Sequence, residues 1–342
     1  MACKHPLLRV EDLRKPVKAL DGHKYYKARI IGMSKETEIP EDIKNNPNYK
    51  YQIIPCTKCI GCRLDYSREW ANRGYLEAQI WKHNYFVTLT YNDEELRYIK
   101  EQWEQDEFYA TVNRKDMQKF LHDLRQIMSR KKIQTSDIRY MGCAEYGDQG
   151  LRPHMHLILF NCQLPIETFY APRIINDNFY YQNTIIEKCW KKGFSNISEA
   201  SWNTIAYTAR YITKKIKGKD AKIIYDSLGV EPEYLATSKR GGIGKPYYDK
   251  YWKEIYEKDQ VIIHNTQGTI TTQPPKYFDE LYKKDHPREF KKIQERRLKR
   301  ARNINRIREK QTSLTRLEQL EIEEATLKDK TAQLLRSMEK GR

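Results

Sequence analysis

Hydrophobic and polar positions change period along this chain, and each change marks an element. Phe86-Val87-Thr88-Leu89-Thr90-Tyr91 is β-branched and aromatic and is closed by Asn92-Asp93, which predicts a strand ending in a turn. From Asn113 onward the apolar residues Met117, Phe120, Leu121, Leu124 and Met128 recur at three- and four-residue steps, the signature of one helix face, with Asn113 placed to cap it. Ile138 to Tyr146, the turn Gly147-Asp148-Gln149-Gly150 and the run Arg152 to Phe160 predict an antiparallel hairpin whose second strand is buried. After an irregular stretch come a helix around Thr184–Lys192, a short strand Phe194–Ser198 and a helix from about Trp202 to Lys217. Upstream, Leu64 to Lys82 predicts a helix burying Leu64, Trp70, Tyr75, Leu76, Ile80 and Trp81. Residues 1–55 have mixed charge and turn residues at Asp21-Gly22 and Asn45-Asn46-Pro47, so short strands and loops are expected there.

This order implies an α+β domain with a mainly antiparallel sheet and helices covering one face. Four regions follow: 1–82, with a cysteine motif and a helix; 83–220, the core; 221–286, a basic loop extension; and 287–342, a charged helical tail. In that tail, eleven cations against three glutamates lie between Arg288 and Lys310, followed by a more acidic helical stretch. The tail reads equally as a solvated appendage or as an arm that grips DNA.

Charge narrows the partner. The 342 residues include 63 Lys+Arg against 46 Asp+Glu, a formal net charge of +17, which favours a polyanion such as nucleic acid. Many of the 25 tyrosines stand beside cations, as in Lys24-Tyr25-Tyr26-Lys27, an arrangement suited to stacking bases while lysines follow phosphates. No stretch approaches the ~20 apolar residues a bilayer needs, so no membrane partner is expected. Met1-Ala2-Cys3-Lys4-His5-Pro6 lacks the apolar run of a signal peptide, and a cytosolic protein is expected.

Three constellations carry chemistry. His154 and His156 share a strand face, and Glu145 lies opposite on the preceding strand; two imidazoles and a carboxylate suit a divalent Mg²⁺ or Mn²⁺. An ordinary hydrogen-bonded core pair is the competing reading. Tyr207 and Tyr211 are one helical turn apart, ~6 Å along the axis, beside Arg210, Lys214 and Lys215. Those cations can lower a phenol pKa from its usual ~10 and balance charge on a phosphoryl transition state. The competing reading makes both tyrosines ordinary amphipathic positions.

Cys56-Thr57-Lys58-Cys59-Ile60-Gly61-Cys62 has a spacing that favours zinc in a cytosolic protein, with Cys3 or His5 as the fourth ligand; an iron–sulfur cluster lacks its fuller pattern here. Cys143, Cys162 and Cys189 read as isolated buried residues. Lys239-Arg240-Gly241-Gly242-Ile243-Gly244-Lys245 has the wrong spacing for a Walker loop, which disfavours ATP binding; it reads as a basic loop on a DNA backbone or a plain surface turn.

Phe86 to Asp93, then Glu145-Tyr146-Gly147 leading into Arg152-Pro153-His154-Met155-His156, then Tyr207 to Lys215 resemble the three ordered motifs of HUH-type rolling-circle replication initiators. More closely, the chain resembles the replication initiation proteins of microviruses of the gokushovirus branch. That resemblance implies the HUH endonuclease fold: a five-stranded antiparallel sheet with flanking helices, joined here by a small zinc-binding amino-terminal element and a basic helical tail. It implies a nicking and joining endonuclease with His154, His156 and Glu145 as ligands of a catalytic Mg²⁺ or Mn²⁺. Tyr207 and Tyr211 would form a 5′-phosphotyrosine and leave a 3′ hydroxyl primer.

Arg210 departs from the lysine that related initiators often have between the tyrosines, which keeps the charge but changes its geometry. The implied partners are single-stranded origin DNA, supercoiled replicative-form DNA, and host helicase and polymerase in the bacterial cytoplasm. A plasmid relaxase or single-strand transposase of the same chemistry, and a non-enzymatic zinc-containing nucleic-acid-binding protein, remain as alternatives.

Overall fold

The computed structural model describes residues 3–19, 24–32, 39–96, 110–134, 136–147, 152–175, 178–214, 223, 225–227, 229–265 and 268–339, apart from the side chains of 211–214 and 333–339. They fall into two units, Met1–Tyr66 with Leu298–Arg342, and Ser67–Arg297. No helix among the described residues is long and apolar enough to cross a membrane.

In the first unit, β1 (Leu7–Lys18) pairs antiparallel with both β2 (Lys24–Gly32) and β3 (Tyr49–Ile54). Leu8 and Val10 alternate onto one face and are buried with Ile43 of the short helix α1 (Glu41–Lys44). Such a core is small, and β1 is interrupted by a bulge between Glu11 and Pro16, where proline supplies no N–H to the ladder. Helix α2 (Ile60–Ala78) begins four residues upstream of the expected start.

The second unit is built on a seven-stranded sheet in which every pairing is antiparallel. Its strands are β4 (Asn84–Tyr91), β5 (Arg139–Tyr146), β6 (Pro153–Phe160), β7 (Phe169–Ile175), β8 (Asn178–Asn183), β9 (Gly193–Glu199) and β10 (Tyr234–Thr237), in the order β10-β5-β6-β4-β9-β8-β7. The expected five strands are corrected to seven. The difference is the β7–β8 hairpin, which occupies the stretch read as irregular and joins β9 through the single pair Tyr181↔Ile197. Its mostly exposed residues carry no buried-face alternation for a sequence reading to detect.

Helices cover both faces, not one. On one side α3 (Arg114–Arg130) and α4 (Thr184–Cys189) pack on Val87, Leu89, Tyr91, Met155, Leu157 and Leu159. Met117, Phe120, Leu121, Leu124 and Met128 of α3 are all buried, and the Asn113 side chain accepts the Lys115 N–H at 3.0 Å as the cap. On the other side α2 and α5 (Trp202–Lys214) pack on Phe86, Met141, Ile158 and Phe160. All eight residues of β6 are therefore buried, which a one-sided cover does not produce. Gly74 of α2 lets α5 approach: a Cβ there would lie 2.7 Å from Ile205 Cγ2.

Between residues 245 and 297 the chain forms α6 (Lys245–Lys258), the hairpin β11 (Val261–Asn265) and β12 (Gly268–Thr272), α7 (Lys276–Asp285) and the start of α8 (Pro287–Gln311). Tyr248, Ile255, Val261, Ile263, Phe278, Tyr282, Phe290 and Ile293 bury themselves against Tyr75 and Leu76 of α2. The tail ends in α9 (Arg316–Glu339).

Candidate metal and nucleophile site

Strand register brings the predicted ligands together. Glu145 of β5 pairs directly with His154 of β6, and Cys143 with His156, so Glu145, His154 and His156 occupy one face of adjacent strands. His154 Nε2 lies 2.6 Å from Glu145 Oε1, and His156 Nε2 lies 3.3 Å from the same oxygen. All three side chains are buried. Burial alone would raise the Glu145 pKa, but hydrogen bonds and charge from the two histidines outweigh it and hold the carboxyl at about 2.

The outer nitrogens fix the rings. His154 Nδ1 sits 3.1 Å from the Arg152 carbonyl oxygen, which can only accept, so Nδ1 carries a proton. In a neutral ring this turns the lone pair of Nε2 toward Glu145 Oε1, itself an acceptor. Two acceptors 2.6 Å apart repel unless a proton or a cation stands between them. His156 Nδ1 lies 3.1 Å from Thr88 Oγ1, which leaves its Nε2 facing the same carboxylate. The donor set of two imidazole nitrogens and one carboxylate oxygen, mutually within 4.8 Å, fits a divalent cation.

Helix α5 lays the first predicted tyrosine against this group. Ile205, Ala206 and Ala209 form its buried stripe, and the Tyr207 ring stands edge-on to His156, with centroids 5.1 Å apart at 80°. Phe86 completes the wall, stacked on His156 at 5.5 Å and edge-on to Tyr207 at 6.0 Å. Arg210 follows in α5, half-buried. Tyr211 and Lys214 continue the helix, but their side chains, and all of Lys215, lie outside the described residues.

The cysteine motif gathers as well: Cys3, Cys56, Cys59 and Cys62 place their sulfurs within 4.8 Å of one another. Cys143, Cys162 and Cys189 are buried thiols outside any disulfide, as expected.

Two groups of residues escaped the sequence reading. Thr88 and Phe86 touch His156 because β4 pairs with β6, a neighbour relation between strands nearly seventy residues apart; the two-residue period of Phe86, Thr88 and Thr90 was the only signal of a shared face. The glycine loop is held from within the unit by Arg139. Its guanidinium donates to the carbonyls of Arg240, Gly241 and Gly242 at 2.8, 2.9 and 2.9 Å and pairs with the fully buried Glu77, which also accepts the Gly244 N–H at 2.7 Å. Gly241 and Gly244 have φ of 59° and 89°, the left-handed conformation that glycine enters without strain.

The family model of the replication-associated protein ORF2 matches residues 84–216, the span from β4 to just beyond α5. The chain is 37% identical over 254 residues, 72% of each chain, to the replication-associated protein ORF2 of Spiroplasma virus 4. It is 32% identical to the replication-associated protein VP4 of Bdellovibrio phage phiMH2K, over 69% of this chain and 70% of that one. A more distant similarity, 24% over 68% of this chain and 54% of the other, links it to the replication-associated protein ORF4 of Chlamydia phage 1. No solved structure matches the chain.

Proposed function

Because the chain belongs to the family of microvirus replication-associated proteins, we propose that it starts and ends rolling-circle replication by nicking and rejoining origin DNA through a phosphotyrosine. The observation that carries this reading is the Tyr207 ring 5.1 Å from His156, at the edge of a buried pair of histidines and a carboxylate. His154, His156 and Glu145 would hold the divalent cation, with two imidazoles favouring Mn²⁺ over Mg²⁺. When bound, that ion supplies Lewis-acid polarisation of the scissile phosphate.

The rest falls to the chain. Tyr207 Oη attacks phosphorus, the P–O3′ bond breaks as the Oη–P bond forms, and the phenol proton is made good on the departing 3′ oxygen. A 5′-phosphotyrosine and a 3′ hydroxyl result, the latter a primer for a host polymerase. Because one phosphodiester is exchanged for another, the reverse attack rejoins DNA with no other energy source. Tyr211, four residues later in α5, is the second nucleophile, so the two can alternate between opening and closing the strand. Arg210, Lys214 and Lys215 counter charge on the phosphate. The glycine loop, with Lys239 and Arg240, touches the DNA backbone, and the remaining partners are single-stranded origin DNA, supercoiled replicative-form DNA and a host helicase.

The test uses labelled single-stranded origin DNA with Mn²⁺ or Mg²⁺ and looks for a protein–DNA adduct that survives denaturation. Wild type should form it, His154→Ala/His156→Ala should not, and Tyr207→Phe/Tyr211→Phe should not. Absence of any adduct with the phage's own origin refutes the enzyme reading, and an adduct from the double phenylalanine variant refutes the nucleophile assignment.

A further inference from the structure

We propose that Cys3, Cys56, Cys59 and Cys62 hold a structural zinc ion as four thiolates, closing the amino-terminal segment onto the start of α2. The spacing of the sulfurs argues for a single metal. Cys56 Sγ lies 4.0 Å from Cys62 Sγ, and Cys59 Sγ 4.0 Å from Cys3 Sγ. Zinc–sulfur bonds of ~2.3 Å at tetrahedral angles put sulfurs ~3.8 Å apart. A disulfide requires about 2.05 Å. An iron–sulfur cluster needs room for several irons and sulfides among the cysteines, which these separations do not leave.

The backbone is shaped to hold negative sulfur. Three amides point at the cluster: Cys56 N–H donates to Cys3 Sγ at 3.1 Å, Lys4 N–H to Cys59 Sγ at 3.2 Å, and Cys59 N–H to Cys56 Sγ at 3.3 Å. Between Cys56 and Cys59 the turn puts Thr57 at φ 64°, a left-handed conformation that a β-branched residue avoids unless its surroundings impose it. That turn aims two sulfurs at the point faced by Cys62, in the first turn of α2, and by Cys3.

The geometry also chooses between the two candidates for the fourth position. His5 is mostly exposed, and its Nε2 meets Glu324 Oε2 at 2.9 Å, so the imidazole is engaged elsewhere. The need for such a clasp follows from the small core of the three-stranded sheet, Leu8, Val10 and Ile43, which gives residues 3–62 little apolar burial to hold them.

The full chain, purified under reducing conditions, should carry one zinc equivalent by elemental analysis, and should keep it in His154→Ala/His156→Ala and in His5→Ala. Cys3→Ser should lose it at least tenfold more readily to a chelator. Since that variant can misfold, cobalt substitution of the wild-type chain gives a second readout: intense thiolate charge-transfer bands and the visible pattern of a tetrahedral four-sulfur site. Folded wild-type chain that takes up neither zinc nor cobalt overturns the proposal, as does Cys3→Ser retaining a full equivalent with an unchanged cobalt spectrum. Loss of the zinc in the histidine double variant would assign that ion to the other site and overturn it too.

Discussion

Thr88→Val tests whether the histidine pair is oriented for metal by its neighbours. Valine keeps the shape and the β-branching that suit β4, and removes only the hydroxyl 3.1 Å from His156 Nδ1. One neutral hydrogen bond contributes about 0.5–1.5 kcal/mol, and each 1.4 kcal/mol is a tenfold change in affinity. A freed ring can turn its Nε2 away from Glu145 Oε1, so the expected loss lies near the upper end of that range, about tenfold weaker Mn²⁺ binding. The assay is a Mn²⁺ titration followed by electron paramagnetic resonance of the free ion, with near-ultraviolet circular dichroism to show that the fold is kept. Adduct formation should fall at limiting Mn²⁺ and recover at saturation, and Thr88→Ser should behave as wild type. A dissociation constant within twofold of wild type, in a folded Thr88→Val chain, would refute the reasoning.

Glu145→Gln bears on acid stability in chain stripped of metal. The folded carboxyl sits at about 2 against an ordinary 4.5, so its contribution is complete above about pH 4.5 and is lost as pH falls toward 2. That difference amounts to about 3 kcal/mol. Urea unfolding between pH 5 and 2.5 should show a steeper decline for wild type than for the variant, and parallel curves would sink the attribution. Arg139→Met strands the fully buried Glu77 carboxylate and should cost about 3–5 kcal/mol by the same method, whereas a cost below about 1 kcal/mol would mean that water reaches Glu77. Gly74→Ala pushes a methyl into Ile205, and about 1–3 kcal/mol of destabilisation, together with slower adduct formation, is expected if α5 shifts; unchanged stability would show that Ile205 simply turns aside.

Where burial imposes a period, the sequence was legible: α3 with its Asn113 cap, β4, the β5–β6 hairpin and α5 all follow from apolar spacing. The side on which Glu145 falls was also within reach, because a tight hairpin sets register locally. What lay beyond reach was relation between distant segments. Tyr234–Thr237 is four residues long and finds its place only by pairing with β5. The second helical layer could not be inferred from β6, since a run such as Met155-His156-Leu157-Ile158 contains two buried faces that look alike in sequence. The fourth thiol was ambiguous because residues 3 and 5 are equally near along the chain, and only the engagement of His5 by Glu324 separates them.

Sheet order carries a consequence for timescale. With β6 flanked by β5 and β4 and shielded on both faces, its amides are expected to exchange hydrogen only when the whole unit opens. The two histidines thus share the lifetime of the fold itself, and local breathing cannot reset their geometry between one strand exchange and the next. Whatever moves during turnover must then be DNA, or the helix that bears the tyrosines.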